Sequence, residues 1–283
     1  MKTHIKKLTL LSVCISTLSL MSFGCKPTDH KLPKDNIRLA VYNIRGEDPN
    51  DGVNLWKFRK DSLIKIVLKN NMEIVGLQEA VQFQLEDIVA GTSYKFVGKE
   101  GLFNPVIYDG KRFEAIEWDM FWLNENNEPE VKGWDGKYAR YCTWVKFKDK
   151  KTQKEFYFFN THFDHRGLMA KTNSATLISK EAKKIAGNTP FLIGGDLNSK
   201  SNTEAYRILS ENFTDARKAA PQERVYGPVG TAHNFGGVHP VQIDYIFVAP
   251  KIKIHTYRAI DEAYENDLFP SDHYPVYVDL TIK

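Results

Sequence analysis

The segment "FLIGGDLNSKSN", residues 191–202, joins a short apolar run to a group of polar side chains. The run Phe191–Ile193 has the composition of a buried β-strand and stops at two glycines. Asp196 and Asn198 follow the glycines and are separated by one residue. A carboxylate and an amide at a strand end fit two interpretations, an Asx turn or part of an active site.

The same arrangement, a polar side chain at the edge of an apolar segment, recurs along the chain. It occurs at Asn43 after "RLAVY", at Gln78 and Glu79 after "EIVGL", at His162 after "FYFFNT", at Asp244 within "QIDYIFV", and at Asp272 and His273 before "YPVYV". Strand ends of a layered α/β domain converge on one rim, where binding sites are built. Together the residues therefore predict one site, although each alone also fits a turn, a helix cap or a buried core residue.

Asp244 is the position that an ordinary structural role explains least. It lies inside an apolar run, between Ile243 and the segment Tyr245–Val248. An unpaired carboxylate in such a strand is costly because it loses its hydration on burial. We therefore expect a cation or a protonated imidazole beside it.

Segments with strand and helix patterns alternate over the greater part of the chain. Strand patterns are present at 37–44, 73–80, 154–165 and 191–196, and helical periodicity at 55–68 and 167–187. Ser201 and Glu204 resemble a capping box that begins a helix through Leu209. Gly194 and Gly195 would allow a phosphate to approach the backbone. The alternation predicts an α/β fold with two sheets covered by helices in a single domain.

The first 24 residues form a segment of a different kind. Three lysines precede an apolar stretch, residues 8–23, which is too short to span a membrane as a helix and is followed closely by Cys25. The segment resembles a bacterial lipoprotein signal, in which the cysteine becomes the lipidated first residue. We therefore expect a signal peptide at 1–24, a tether at 25–36 and anchoring of the protein outside the cytoplasm to a bacterial membrane through Cys25. The alternative is a periplasmic or secreted protein without the lipid.

Charge and cysteine content weigh against two classes of function. The formal net charge of the whole chain is +4, and loss of the three lysines of the signal peptide leaves about +1. Such a chain has no strong electrostatic attraction to a nucleic-acid polymer.

Since Cys14 lies in the signal and Cys25 would carry lipid, Cys142 has no partner for an intrachain disulfide. We expect Cys142 to be a buried small hydrophobe rather than a catalytic thiol.

Six short blocks carry a resemblance to a known family. They are "VYNIR", "GLQEA", "NTHFDH", "GGDLNS", "IDYIFV" and "SDHYPV", in this order. Together they resemble the signature blocks of the endonuclease/exonuclease/phosphatase superfamily, and the resemblance spans about residues 37–282. It implies a four-layer α/β sandwich, in which two packed mixed β-sheets are flanked by helices, as the catalytic domain at 37–283. It also implies hydrolysis of phosphoester bonds by water with Mg²⁺ or Mn²⁺ as cofactor.

The resemblance assigns a metal-binding role to three of the polar residues. Glu79 would bind the metal, and Asn43 and Asp272 would act at the metal or through its waters. Oxygen donors of this kind suit a hard divalent cation, whereas a closed zinc site would need more histidine or cysteine.

Five further residues would carry out the catalytic steps. By the resemblance, Asp196 would orient and deprotonate the attacking water, and Asn198 would hold that water or a phosphate oxygen. His162 would contact the phosphate. Asp244 would pair with His273, so that the imidazolium stabilises the negative charge that develops in the transition state.

Substrate binding is predicted for two residues outside these blocks. Arg140, flanked by Tyr138 and Tyr141, would form a fork onto a phosphate, with a surface salt bridge as the alternative. His233 lies in a glycine-rich loop and would reach a phosphate.

The sequence favours one activity and leaves its substrate open. The favoured function is a phosphodiesterase or nuclease-like enzyme outside the cytoplasm. A phosphatase or a phospholipase-C-like enzyme on lipid or sugar phosphates is the alternative, and a non-catalytic surface lipoprotein is a third. The expected partners are a phosphoester substrate (nucleic acid, nucleotide, lipid or sugar phosphate) and the membrane, and we expect a monomer.

Overall fold

The computed structural model describes residues 31–236, 240–264 and 268–283. The predicted signal peptide at 1–24 and Cys25 lie outside these residues and remain predictions. Of the predicted tether, residues 31–36 are described, and the Asn36 amide donates a hydrogen bond to Asp279 (2.9 Å). None of the described helices has both the length and the hydropathy that a membrane span requires.

The described residues form thirteen strands and five α-helices. The strands are β1 (Ile37–Asn43), β2 (Ile74–Gln78), β3 (Lys95–Val97), β4 (Val106–Tyr108), β5 (Phe113–Trp122), β6 (Tyr141–Asp149), β7 (Glu155–His162), β8 (Phe191–Asp196), β9 (Thr214–Asp215), β10 (Val225–Tyr226), β11 (Asp244–Val248), β12 (Ile252–Ala259) and β13 (Val276–Ile282). The helices are α1 (Trp56–Lys69), α2 (Gln82–Thr92), α3 (Leu168–Ala186), α4 (Glu204–Asn212) and α5 (Ala216–Ala219).

Within the described ranges these strands form two mixed sheets. The first has seven strands in the order β10-β12-β13-β1-β2-β4-β3, and the second has six in the order β5-β6-β7-β8-β11-β9. β1 is parallel to β2 and antiparallel to β13 in the first sheet. β8 is parallel to β7 and antiparallel to β11 in the second sheet. The predicted α/β sandwich of two mixed sheets is therefore confirmed.

The burial of neighbouring residues shows how the four layers are formed. Val41 and Phe158, from different sheets, belong to one buried cluster between the sheets. The next residue of β1, Tyr42, belongs instead to a cluster with residues of α1 and α2. The next residue of β7, Phe159, belongs to a cluster with residues of α3 and α4. Because side chains alternate across a strand, each sheet packs on its partner sheet on one face and on helices on the other.

The two glycines of β8 allow close packing inside the protein. A Cβ added at Gly194 would lie 2.7 Å from Val41 Cγ1 of the other sheet. A Cβ added at Gly195, where φ is +137°, would lie 1.9 Å from the Thr161 carbonyl oxygen of β7. The expectation that these glycines admit a phosphate is therefore wrong, because protein atoms already fill the space beside them.

Two smaller expectations have opposite outcomes. Helix α4 begins at Glu204 with Thr203 as its N-cap, whose hydroxyl accepts from the Tyr206 backbone amide (3.5 Å). The predicted cap at Ser201 is wrong, because Thr203 has the extended backbone that places its hydroxyl over the first turn.

Cys142 on β6 is fully buried, and burial raises the pKa of its thiol, so the expectation of a structural role is confirmed.

The buried Asp149 carboxylate supports a prediction about stability. It accepts hydrogen bonds from Arg112 Nη2 (3.0 Å), Lys151 N (2.9 Å) and Thr152 Oγ1 (3.0 Å). Burial opposes its ionisation, but the donors, Arg112 above all, outweigh this effect and hold the pKa of Asp149 below its usual range. We expect Asp149→Asn to lower the free energy of unfolding by about 3 kcal/mol at pH 7.

The effect of Asp149→Asn should depend on pH. A lowered folded-state pKa contributes stability that is present above the unfolded-state pKa of about 4 and is lost as the pH falls through the folded-state value. Denaturant unfolding should therefore show a smaller difference from the wild type at pH 3 than at pH 7. Asp119→Asn on the exposed part of β5 is the control. An equal difference at both pH values would contradict the prediction.

Candidate functional site

The carboxyl ends of the central strands of both sheets meet at one edge of the sandwich. Asn43 ends β1, Glu79 follows β2, His162 ends β7 and Asp196 ends β8. The Asn43 Nδ2 group donates to Glu79 Oε1 (3.2 Å) and to Asp196 Oδ2 (3.1 Å). One amide therefore joins a residue of the first sheet to a residue of the second and fixes their separation.

Three predicted metal-binding residues lie together on the first-sheet side of this edge. Glu79 Oε2 accepts from the Gly46 amide (3.1 Å), and Asn43 Oδ1 accepts from the Arg45 amide (3.0 Å). Burial and the neighbouring Glu79 carboxylate raise the pKa of Asp272. Two partly buried carboxylates that repel each other, with the Asn43 amide oxygen beside them, are donors that fit a hard divalent cation.

A second acidic group lies across the same edge. One ligand atom each of Asp196, Asp244 and His273 lies within 4.8 Å of the others. However, His273 Nδ1 is 2.9 Å from Asp244 Oδ2, which is the geometry of a hydrogen bond. We therefore interpret these three residues as a hydrogen-bonded acid–imidazole group, while a divalent metal remains compatible with the acidic residues of the edge as a whole.

The Asp244–His273 pair creates a buried positive charge at the site. Burial opposes the charge on the imidazole, but the Asp244 and Asp196 carboxylates outweigh it and raise the pKa of His273 to about 10. The Asp244 backbone amide donates to Thr231 Oγ1 (3.1 Å), which holds the start of β11 in place. His273 Nε2 lies 3.9 Å from Asp196 Oδ2. His273 also lines the cleft into which this edge of the sandwich opens. The structure thus places an imidazolium beside Asp244, where the sequence required a cation.

Asp196, His162 and Asn198 form the centre of the group. The Asn198 backbone amide donates to Asp196 Oδ1 (2.8 Å). The side-chain nitrogen of the same residue, Asn198 Nδ2, lies 3.0 Å from His162 Nε2. Burial and the Asp244 carboxylate raise the pKa of Asp196 to about 7. Burial and the nearby Arg140 guanidinium lower the pKa of His162. A carboxyl group with this pKa is suited to accept a proton near neutral pH.

The turns that follow the central strands have strained backbone. Arg45, Glu79 and Asn198 adopt φ values of 58°, 60° and 46°. A side chain other than glycine in this left-handed region costs about 1–2 kcal/mol, with asparagine the most tolerant. Strain of this kind persists where the surrounding structure imposes it, and such positions concentrate at functional sites. The three residues all face the same cleft.

Comparison with known proteins agrees with this geometry. Residues 40–273 match the sequence model of the Endonuclease/Exonuclease/phosphatase family. The chain belongs to this family. It is therefore a hydrolase of the same superfamily, whose members cleave phosphoester bonds.

Several solved structures are similar to this family member. An endonuclease/exonuclease/phosphatase from Bacteroides vulgatus is 35% identical, with a TM-score of 0.83 over 88% of this chain and 100% of that chain. A mannosyl-6-phosphatase from Bacteroides thetaiotaomicron is 30% identical, with a TM-score of 0.82 over 87% of this chain and 100% of that chain. The catalytic domain of human Nocturnin is 17% identical, with a TM-score of 0.69 over 88% of this chain and 94% of that chain. This last likeness shows the fold alone.

The edge that carries the candidate residues of this Endonuclease/Exonuclease/phosphatase family member opens into a cleft of about 540 Å³. Its lining includes the catalytic and metal-binding candidates Glu79, His162, Asp196, Asn198 and His273, together with Arg45, Phe103, Tyr138, Ala139, Arg140 and His165. Arg140 Nε is buried without a hydrogen-bond partner among the described residues. Burial lowers the pKa of Arg140 although nearby carboxylates oppose the shift. Because Arg140 lines the cleft, its guanidinium is well placed to bind a phosphate oxygen.

Four predicted site residues do not line the cleft. Asn43 and Asp244 bond to the lining residues Glu79 and His273, and Asp272 directly precedes His273. The fourth is His233. Its side chain is buried, and its ring stacks on Tyr274 with centroids 3.9 Å apart. Its Nδ1 accepts from the Gly236 amide (2.9 Å). Burial and the nearby His273 lower the pKa of His233 to about 4, so the ring is neutral. In this arrangement it packs behind Asp272, whose carbonyl accepts from the His233 amide (2.8 Å).

Arg59 is a residue of the site region that the sequence analysis missed. It is fully buried on α1 and donates to the carbonyl oxygens of Ile44 (2.5 Å), Arg45 (2.6 Å), Asn54 (2.8 Å) and Pro270 (2.9 Å). The guanidinium therefore ties the turn after β1 to the segment that carries Asp272 and His273. A signal was present, because Arg59 occupies the apolar face of α1 three residues after Trp56.

Replacing Arg59 should disturb the predicted metal-binding residues through these two segments. Arg59→Lys keeps the charge, but one ammonium with three N–H groups cannot reach all four carbonyls. We expect the affinity for Mn²⁺, measured by calorimetry, to fall by about 10–100-fold. Arg38→Lys is the matched control, because Arg38 pairs with Asp279 away from the cleft. Unchanged Mn²⁺ affinity in Arg59→Lys would contradict a positioning role.

Proposed function

We propose that this chain is a Mg²⁺- or Mn²⁺-dependent phosphatase of small phosphorylated molecules, with sugar phosphates as the first candidates. The observation that carries the proposal is the convergence of Glu79, Asp196 and His273 on one cleft that Arg140 also lines. The cleft volume of about 540 Å³ suits a small ligand. The 30% identity to a mannosyl-6-phosphatase over 87% of the chain supports the choice of a sugar phosphate.

The phosphodiesterase that the sequence favoured is the alternative within the same chemistry. Its support is the family, which includes nuclease-like members, rather than a feature of the cleft. The charge of about +1 that is expected after removal of residues 1–24 gives it no electrostatic support.

We propose further that the enzyme acts outside the cytoplasm, tethered through lipidated Cys25, as the N-terminal pattern indicates.

The residues of the cleft account for each requirement of phosphoester hydrolysis. A bound divalent cation would be held by Glu79 with Asn43 and Asp272, and it would neutralise phosphate charge and stabilise the leaving oxygen. Asp196 accepts the proton of the attacking water, and its Oδ1 is held for this role by the Asn198 amide (2.8 Å). Asn198 Nδ2 and His162 lie beside it and orient the water or a phosphate oxygen.

Positive groups on the other side of the cleft stabilise the developing negative charge. The His273 imidazolium donates from Nε2 to a non-bridging phosphate oxygen, because its Nδ1 is occupied by Asp244 (2.9 Å). Arg140 supplies a second donor whose Nε has no partner among the described residues. Both groups are in place before the substrate binds, which reduces the reorganisation that the transition state requires.

A panel of phosphoesters tests the substrate class. Full-length protein with Mg²⁺ or Mn²⁺ would be given hexose 6-phosphates, nucleoside 5′-monophosphates, bis(4-nitrophenyl) phosphate, phosphatidylinositol phosphates and single-stranded DNA. We expect the highest kcat/KM for a hexose 6-phosphate. Preferred cleavage of the diester or of DNA would replace the proposal with the phosphodiesterase alternative. Metal binding without cleavage of any substrate would favour the non-catalytic lipoprotein.

A further inference from the structure

An aromatic surface borders the catalytic groups in the cleft. The rings of Tyr138 and His165 are stacked, with centroids 5.5 Å apart and an angle of 30° between their planes. Tyr138 is 50% exposed, and Phe103, which lines the same cleft, is 47% exposed. Large aromatic side chains left half in water beside a polar site are typical of surfaces that bind a ligand.

A buried carboxylate fixes the Tyr138–His165 stack. Asp164, which is 2% exposed, accepts from the backbone amides of Lys137 (2.9 Å) and Tyr138 (3.0 Å) through Oδ2. Its Oδ1 accepts from the amides of Arg166 (2.8 Å) and Gly167 (2.7 Å). The single side chain thus joins the segment that carries Tyr138 to the segment that carries His165. The stack is held before any ligand arrives, which lowers the entropy cost of binding.

Phe103 is fixed to the end of β2 in a similar way. The Tyr141 hydroxyl accepts from the backbone amides of Phe103 and Asn104, the latter at 2.8 Å. The Phe103 carbonyl accepts from the Ala80 amide (3.0 Å), directly after Glu79. The position of this ring is therefore tied to the metal-binding edge.

Charge beside the stack restricts what it binds. The Arg140 guanidinium carbon lies 5.7 Å from the Tyr138 ring centroid, and Arg140 lines the same cleft as His273. A ligand whose phosphate reaches Arg140 and His273 meets Tyr138, His165 and Phe103 in the same cleft. In a hexose phosphate the group next to the phosphate is the sugar ring, whose C–H face suits an aromatic surface and whose hydroxyls suit the imidazole. In a nucleotide the ribose separates the base from the phosphate.

We propose that Tyr138, His165 and Phe103 form a ring-binding subsite for the sugar of a hexose phosphate, with Tyr138 as the main specificity-determining residue. This proposal rests on the proposed function and adds the part of the substrate that is recognised. The subsite holds the ring beside the phosphate, and Asp164 acts as a positioning residue through the backbone amides it accepts.

The test compares Tyr138→Ala with Tyr138→Phe in the full-length protein. Phosphate release would be measured with mannose 6-phosphate, with glycerol 3-phosphate as an acyclic ester, and with a nucleoside 5′-monophosphate. We expect Tyr138→Ala to raise KM for mannose 6-phosphate by about tenfold more than KM for glycerol 3-phosphate, with the loss in KM rather than kcat. Tyr138→Phe should behave like the wild type, because it keeps the ring face. Tyr226→Ala, a tyrosine of similar exposure on β10, is the control.

Binding provides a readout that does not depend on turnover. Calorimetry of mannose 6-phosphate with Asp196→Asn should show the same loss of affinity when Tyr138→Ala is added. If neither mannose 6-phosphate nor glycerol 3-phosphate is hydrolysed but binding of mannose 6-phosphate depends on Tyr138, the subsite stands and the proposed function fails. Equal losses for the ring-bearing and acyclic esters would overturn the subsite while leaving the phosphatase proposal intact. A larger loss for the nucleotide than for mannose 6-phosphate would overturn the sugar assignment.

Discussion

Replacing Asp196 with asparagine is expected to lower kcat by about 10³-fold with little change in substrate affinity. The amide has the same shape as the carboxylate, so the hydrogen bond from the Asn198 amide (2.8 Å) has an acceptor in both proteins. What is lost is the group proposed to accept the proton of the attacking water, together with the Oδ2 acceptor for Asn43 Nδ2 (3.1 Å). Steady-state kinetics of phosphate release, with circular dichroism to confirm the fold, would measure the effect.

The control for this change is a carboxylate outside the cleft. Asp119→Asn on β5 removes an exposed negative charge and should leave kcat unchanged. If Asp196→Asn kept more than about a tenth of the wild-type kcat, Asp196 would not be the general base, because the loss of such a group costs at least 10²-fold.

Glu79→Gln is expected to weaken metal binding by about 10²-fold. At metal concentrations too low to saturate the variant, kcat should fall in proportion to the fraction of protein that has metal bound. The substitution removes a negative charge but keeps an oxygen that can accept from Gly46. Calorimetric titration with Mn²⁺ gives the affinity, and a series of Mn²⁺ concentrations gives the dependence of kcat. Excess Mn²⁺ should restore part of the activity by mass action.

A glutamate of the same sheet provides the matched comparison for Glu79→Gln. Glu73 pairs with Arg112 (2.6 Å) at the opposite end of β2, so Glu73→Gln should alter stability without altering Mn²⁺ affinity. Equal Mn²⁺ affinities for Glu79→Gln and the wild type would place the metal elsewhere on the acidic edge, where Asp196, Asp244 and Asp272 are the remaining carboxylates among the site candidates.

The fold and the edge of the site were predictable because their signals are local in the sequence. Apolar runs such as Phe191–Ile193 predict buried strands, and a polar residue at the end of each run marks the rim. Asp244 could be assigned a cationic partner from its apolar neighbours alone. The meeting of Asn43 with Asp196, which joins the two sheets, follows from the same topology once the sandwich is predicted.

The features that could not be predicted depend on contacts between distant segments. Arg59 was missed because its four backbone acceptors are brought together only by the fold, although its place on an apolar helix face gave a hint. The role of Asp164 depends on amides from two separate segments. His233 was assigned to the substrate from its loop alone, whereas packing against Tyr274 places it behind the site.

The most direct test of the account is metal-dependent phosphate release from mannose 6-phosphate by the wild type and by Asp196→Asn. We predict release by the wild type with Mg²⁺ or Mn²⁺, loss of release with EDTA, recovery when the metal is restored, and a loss of about 10³-fold in Asp196→Asn. Release that continues unchanged in EDTA, or that is unchanged in Asp196→Asn, would contradict the assignment of this cleft as a metal-dependent phosphoesterase site.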